Sequence, residues 1–217
     1  MGSEGMYLNI IASIASYSTF IPLVLILFIK TRTYFTLKWV LFILMGLGLS
    51  IDYLLENPNF GSSPDMMYNI YTIVCILTSI AVYNQILSDS FSRKLALYSF
   101  SILFIGFIFS IIYTQDINID SSTAYLIFSI IVVILSFLYF RTVLNEMTIP
   151  NLYDHPPFWI VFAYLTYYGG TISLTLFQDY IIGGNIDVYI ILWSIQLIAS
   201  IIFSILISIS IWKMRKT

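Results

Sequence analysis

Long apolar stretches alternate with short polar breaks along the whole chain. Seven stretches are long enough to cross a bilayer, because about 20 apolar residues rising 1.5 Å each span about 30 Å of hydrocarbon. They lie at about 7–29, 37–56, 67–87, 95–113, 123–144, 157–178 and 188–212. The short connections make successive helices antiparallel. The pattern predicts an all-α membrane protein, with one seven-helix transmembrane domain over residues 1–217.

The basic residues all fall on one side of this seven-helix arrangement. They lie at or beyond the ends of the first, third, fifth and seventh stretches, with Lys38 at the start of the second: Lys30, Arg32, Lys38, Arg93, Lys94, Arg141, Lys213, Arg215 and Lys216. The other side carries most of the acids: Glu4, Glu56, Asp65, Asp116, Asp120, Asp179 and Asp187. Basic residues near the ends of membrane spans stay in the cytoplasm, so we expect the N-terminus outside and the C-terminus inside. The alternative is six spans and one re-entrant stretch.

Composition agrees with a membrane protein and excludes several functions. The chain is 59% hydrophobic and 9% charged, whereas about a quarter of the residues in a soluble domain are charged. One cysteine and one histidine cannot supply a disulfide or the four ligands of a structural zinc site, and we expect no cofactor. The sequence lacks G-x-S-x-G, H-E-x-x-H and a phosphate-binding glycine loop, so we do not expect an enzyme. The basic loops carry too few charges to bind nucleic acid.

Asp52 stands out in the second stretch because it is a carboxylate close to membrane depth. It lies about one turn before the outer end, and Glu56 follows four residues later on the same helical face. Ionisable residues within membrane spans normally face a water-filled cavity or the bundle interior, which makes them functional candidates. The alternative is that Asp52 lies at the headgroups and is simply hydrated.

The sixth and seventh stretches contain further candidates. In the seventh, four polar residues recur at intervals of four: Gln196, Ser200, Ser204 and Ser208. Small hydroxyl residues on one face favour close helix packing. Gln196, with Trp193 one turn earlier, is the stronger ligand candidate because a buried amide needs partners for both ends. The sixth contains Tyr164-Leu-Thr-Tyr-Tyr-Gly-Gly170, whose tyrosines either line a pocket or pack, and whose glycines permit close helix contact or a bend. In the first stretch, Pro22 predicts a kink.

Three segments resemble a poorly characterised family of seven-span proteins from Bacteroidetes-type bacteria. They are Met67-Tyr-Asn-Ile-Tyr-Thr-Ile-Val, Pro157-Phe-Trp-Ile-Val-Phe-Ala-Tyr-Leu-Thr-Tyr-Tyr-Gly-Gly and Leu192-Trp-Ser-Ile-Gln. The resemblance implies a membrane-embedded sensory or signalling companion of a histidine kinase. Where that family tends to have an acid, an asparagine and a histidine, this chain has Cys75, Thr171 and Gln196, so the resemblance carries over no proton or metal chemistry at these positions.

Together these features lead us to expect a receptor-like sensory module in a bacterial cytoplasmic membrane. A small or lipid-like ligand would bind in a pocket among the second, third, sixth and seventh stretches. Its contacts would be Asp52, Tyr71, Tyr167 and Gln196, with Trp193 beside them. The partners would be the lipid bilayer and a cytoplasmic or membrane signalling protein such as a histidine kinase. A small-solute transporter and an oligomeric membrane effector or pore are the alternatives.

Overall fold

The computed structural model describes residues 3–56, 64–116, 122–146, 151–176 and 186–215. Within these ranges the chain is helical and contains no strand. The helices are α1 (Ser3–Ser18), α2 (Phe20–Phe28), α3 (Phe35–Glu56), α4 (Pro64–Ile86), α5 (Ser90–Thr114), α6 (Ser122–Glu146), α7 (Pro156–Leu176) and α8 (Ile186–Met214), and a short 3-10 turn, Leu152–Asp154, precedes α7. The prediction of an all-α protein is confirmed, and every predicted stretch contains a helix.

Six segments of the described chain are long and apolar enough to cross a membrane. They are Ile10–Phe28, Phe35–Leu54, Pro64–Ile86, Ser90–Thr114, Ser122–Asn145 and Ile190–Met214. The protein is therefore a multi-pass membrane protein. Helix α7, which covers the sixth predicted stretch, is not among these segments because its three tyrosines, three threonines and two glycines make it less apolar. Its faces are instead extensively buried by protein.

The first membrane segment is interrupted at Thr19, where α1 ends and α2 begins. Pro22 has no backbone N–H, and its ring clashes with the carbonyl group four residues earlier, which belongs to Ser18. The hydroxyl groups of Ser18 and Thr19 donate to the carbonyl oxygen of Ala15 at 2.7 and 3.3 Å. The kink predicted from Pro22 therefore takes the form of a break one turn before the proline.

Tertiary contacts divide the chain into two compact units. The first unit comprises Met1–Thr33 and Thr148–Thr217, and it holds α1, α2, α7 and α8. Within it, α8 packs along α7 and also contacts α1 and α2. The second unit, Tyr34–Met147, holds α3 to α6, with α4 packed against the other three helices.

The second unit has a core that includes buried hydroxyl groups. The Tyr83 hydroxyl of α4 lies 2.9 Å from Ser136 Oγ of α6 and 3.1 Å from the Val132 carbonyl oxygen. Its ring packs against Phe100 of α5, with 5.9 Å between ring centroids. Hydrogen bonds across helices stabilise membrane bundles, in which polar groups have few other partners. Tyr83 therefore joins three helices of this unit.

Candidate functional site

The tyrosines of α7 pack against one aromatic residue of α8. The Phe203 ring lies 5.8 Å from the Tyr164 ring and 5.2 Å from the Tyr167 ring, measured between centroids. Tyr167 also meets the Tyr168 ring edge-on at 5.0 Å. Tyr164 and Tyr168 are buried, whereas Tyr167 is half-buried. Packing therefore accounts for Tyr164 and Tyr168. Tyr167 lies at the accessible edge of the interface between α7 and α8, which we call the seam.

Gly170 allows α7 and α8 to approach each other closely. A Cβ atom built at Gly170 would lie 3.2 Å from the Cβ of Ala199, whereas one built at Gly169 would have nothing within 4 Å. Small residues at helix interfaces permit such approach in membrane proteins. The prediction of a glycine-mediated helix contact is confirmed for Gly170, and Gly169 faces open space.

Thr171 and Gln196 connect the two helices through a polar contact within the apolar segment Ile190–Met214 of α8. Thr171 Oγ1 lies 3.0 Å from Gln196 Oε1 and 3.0 Å from the carbonyl oxygen of Tyr167. Thr171 is buried and Gln196 is half-buried. Trp193, also half-buried, precedes Gln196 by three residues and lies on the same side of α8. The structure thus brings Tyr167, Trp193 and Gln196 to one helix pair.

The other two predicted contacts, Asp52 and Tyr71, belong to the second unit. The Asp52 side chain is exposed on α3, so it is not part of the buried core of that unit. Tyr71 is half-buried on α4, and its ring lies 3.6 Å from where a Cβ of Gly48 would be. Tyr71 therefore packs against α3. The side chain of Glu56, expected beside Asp52, lies outside the described residues.

The serines of α8 have different partners, although they recur at regular intervals. Ser204 is buried, and its Oγ lies 3.5 Å from Thr19 Oγ1 at the break between α1 and α2. Ser208 donates to the carbonyl oxygen of Ser204 in its own helix at 2.7 Å. The packing role expected of the stripe is therefore met by Ser204, and the Ser208 hydroxyl is satisfied by its own backbone.

A second polar cluster lies at the opposite end of the α7–α8 pair, and we call it the clasp. Lys213 Nζ of α8 donates to Asp154 Oδ1 at 2.6 Å, and Asn151 Nδ2 donates to Asp154 Oδ2 at 2.6 Å. Buried Ser210 Oγ donates to the carbonyl oxygen of Pro156 at 2.9 Å. The clasp thus ties the start of α7 to the end of α8. In the sequence, Lys213 indicated only topology, and these contacts were not predicted.

His155 and two tryptophans lie next to the clasp. Burial lowers the pKa of the His155 imidazole below its ordinary value of 6.5, so the ring is neutral near pH 7. The Arg215 guanidinium lies 3.6 Å from the centroid of the Trp212 ring. Trp159 Nε1 donates to the carbonyl oxygen of Tyr153 at 2.9 Å. This end of the pair therefore combines cations and indole rings, a combination typical of a membrane–water interface.

Among the described residues, no group of three or more His, Cys, Asp and Glu side chains could hold a metal ion. Comparison of the chain with protein-family models, with curated proteins and with solved structures found no match.

Proposed function

We propose that this protein is a receptor-like sensory module that binds a small or lipid-like ligand beside Gln196 and transmits the binding event along α7 and α8. It crosses a bacterial cytoplasmic membrane seven times, with its N-terminus outside and its C-terminus inside. The observation that carries the proposal is that one helix pair has the Thr171–Gln196 contact near one end and the clasp at the other.

The pairing of α7 with α8 supports the proposed crossing of α7. Thr171 contacts Gln196 near one end, and Pro156 contacts Ser210 near the other, so the two helices run antiparallel along their lengths. Helix α8 contains a segment apolar enough to cross a membrane. A helix that follows it over this length crosses with it. Protein contacts cover much of α7, so α7 does not need the apolarity of a lipid-facing helix. This pairing supports seven crossings over six.

The two polar contacts depend on the same alignment of α7 with α8. Thr171 follows Asp154 by 17 residues, and Lys213 follows Gln196 by 17 residues. At 1.5 Å per residue, each interval is about 25 Å. Because the helices are antiparallel, sliding one along the other disturbs both contacts together. A ligand that binds one alignment better than the other therefore changes the fraction of molecules in which the clasp is formed.

The family resemblance of the three sequence segments supports a signalling output. A partner such as a histidine kinase would contact the end of the protein that carries the clasp, where Tyr153 and Arg215 are exposed. The basic residues predicted to face the cytoplasm include Lys213 and Arg215, which agrees with an intracellular output surface.

Fusion tags at the two termini test the topology. A phosphatase that is active only outside the cytoplasm and a fluorescent protein that folds only inside it should report opposite compartments for the N- and C-termini. Finding both termini in one compartment would contradict seven crossings.

Native mass spectrometry of the protein released from its membrane tests the ligand site, because it detects any retained molecule by its mass. We expect a retained molecule in the wild type that is lost from Gln196→Met. The matched control is Ser194→Ala, because the Ser194 hydroxyl donates to the Ile190 carbonyl oxygen of its own helix at 2.7 Å. Equal retention by all three proteins would contradict the site. Net flux of the retained molecule into proteoliposomes would favour the transporter alternative.

A further inference from the structure

The Thr171 hydroxyl has two acceptors within reach but only one proton. Its oxygen lies 3.0 Å from the Tyr167 carbonyl oxygen and 3.0 Å from Gln196 Oε1. A hydroxyl group donates one hydrogen bond and can accept others. With the Gln196 amide in this orientation, one proton serves both acceptors, so the two contacts cannot both be full hydrogen bonds.

Rotating the Gln196 amide by half a turn removes this conflict. The rotation exchanges Oε1 and Nε2, whose shapes are nearly the same. Gln196 Nε2 then donates to Thr171 Oγ1, while Thr171 donates to the Tyr167 carbonyl oxygen. Both 3.0 Å contacts become hydrogen bonds at once. Because polar groups inside a bundle are costly to leave unsatisfied, this orientation is the more stable one.

The satisfied orientation determines which atom of Gln196 faces the ligand. With Nε2 held by Thr171, the carbonyl oxygen of the amide is the atom left to accept a hydrogen bond from a ligand. In the part of the chain that the structure describes, Thr171 is the residue that hydrogen-bonds this half-buried side chain. A carbonyl oxygen accepts hydrogen bonds and does not donate them, so its complement is an O–H or N–H group.

The surrounding residues favour an uncharged ligand. In the first unit, Asp154 is the one acidic residue among the side chains that the structure describes. It is paired with Lys213 in the clasp. A cation beside Gln196 would therefore meet no described counter-charge, and burying it would be costly. Trp193, one turn before Gln196, and Tyr167, one turn before Thr171, are half-buried and offer apolar surface on the same helix pair.

Building on the proposed function, we infer that the ligand is an uncharged amphiphile with a hydroxyl group, and that Thr171 sets this preference by fixing the orientation of the Gln196 amide. The hydroxyl donates to the Gln196 carbonyl oxygen, and the apolar body lies against Tyr167 and Trp193. Thr171 is a positioning residue that acts through Gln196.

Two matched probe molecules test whether the site prefers a ligand that donates a hydrogen bond or one that only accepts. Binding of 1-dodecanol and of 2-tridecanone, which accepts hydrogen bonds but donates none, is measured in lipid nanodiscs by native mass spectrometry. We expect the alcohol to bind the wild type about fivefold more tightly than the ketone, the factor that one neutral hydrogen bond contributes. Gln196→Met should lose the preference, and Ser194→Ala should retain it.

Variants at Thr171 test the positioning role. Thr171→Ser keeps the hydroxyl and should keep the preference for the alcohol. Thr171→Val frees the amide to rotate, so the alcohol and the ketone should bind within about twofold of each other, a difference below that of one hydrogen bond. If Thr171→Val fails to fold, Thr171→Ala, which also lacks the hydroxyl group, replaces it with the same expected loss of preference.

Two outcomes distinguish failure of this inference from failure of the proposed function. Binding of the ketone as tightly as the alcohol, in a manner that requires Gln196, would overturn the inference and leave the ligand site in place. Absence of Gln196-dependent binding by either probe would remove the site itself, and the inference with it.

Discussion

Helices α5 and α7 differ most clearly in what surrounds them. Helix α5 is one of the segments apolar enough to cross a membrane, and its buried residues are Ser92, Ala96, Phe100 and Phe107. Helix α7 falls short of that apolarity, yet it buries eight residues along a shorter length. The contrast agrees with the rule that a helix covered by protein does not need the apolar surface of a helix that faces lipid. A helix covered by protein can therefore retain tyrosine, threonine and glycine.

The two helices also begin differently. Helix α5 begins with local hydrogen bonds, since the Asp89 carboxylate accepts from the Ser92 backbone N–H at 2.9 Å. These bonds hold the pKa of Asp89 below its ordinary value. Helix α7 begins at the clasp, where Asp154 and Pro156 are held by residues of α8. The start of α5 is thus held by bonds within its own segment, whereas the start of α7 is also held by residues of α8.

The largest expected effect comes from removing a buried tyrosine ring of α7, and the control is an exposed tyrosine ring of α5. Tyr168 of α7 is 1% exposed, whereas Tyr98 of α5 is 62% exposed. Tyr168→Ala leaves a cavity and should lower the free energy of unfolding by about 3 kcal/mol or more. Tyr98→Ala should change it by less than about 0.5 kcal/mol. Reversible unfolding in mixed micelles measures both, and equal losses would contradict the contrast between the helices.

A smaller loss is expected from filling the helix seam. Gly170→Leu forces α7 away from Ala199 and should lower the free energy of unfolding by about 1–3 kcal/mol. The controls are Gly169→Leu in α7 and Gly106→Leu in α5, because a Cβ built at either glycine has nothing within 4 Å. These two variants should be neutral or slightly stabilising, since leucine favours helix more than glycine does. The smaller change Gly170→Ala should be compensated by Ala199→Gly.

The clasp should contribute less to the free energy of unfolding than the close packing at Gly170, because its ion pair is partly exposed. A double-mutant cycle with Asp154→Asn and Lys213→Met should give a coupling energy of about 0.2–1 kcal/mol, and this coupling should fall as salt is raised. Hydrogen exchange should increase over residues 151–160 in either variant and stay unchanged over residues 88–95. A change at both places would show that α5 does not begin independently.

The smallest effect is a dependence of stability on pH through His155. Burial lowers the pKa of this imidazole in the folded protein, so the unfolded chain binds more protons below about pH 6.5. The stabilisation from neutral His155 is therefore fully present above pH 6.5 and is lost as the pH falls below that value toward the folded pKa. His155→Gln should flatten the unfolding profile between pH 5 and 7. A wild-type profile as flat as that of the variant would contradict the burial.

The sequence was sufficient to predict the helices but not their contacts. Runs of apolar residues broken by charges give α3 to α8 within a few residues, and Pro22 alone indicates the break after Ser18. The pairs Ser210–Pro156 and Tyr83–Ser136 depend on which helices are neighbours and how each is rotated, information that local periodicity does not contain.

The residues of the candidate site could be predicted from the sequence, but their contacts with other helices could not. Residue type and membrane depth singled out Gln196, Trp193 and Tyr167. They did not indicate that Thr171 would be the partner of Gln196, or that Asp52 and Tyr71 would belong to the other compact unit. The polarity and size of a residue can be read from the sequence alone, whereas its assignment to a unit depends on contacts between residues far apart in the chain.

The composition of the first unit has a consequence for biosynthesis. Helices α1 and α2 are made before Tyr34–Met147, but their partner α8 is made after the whole of that segment. At about 5–20 residues per second, the earliest helices wait several seconds or more in the membrane before the Thr19–Ser204 contact can form. Assembly of this unit is therefore necessarily a late event that follows release of α8 from the ribosome, whereas α3 to α6 can associate while synthesis continues.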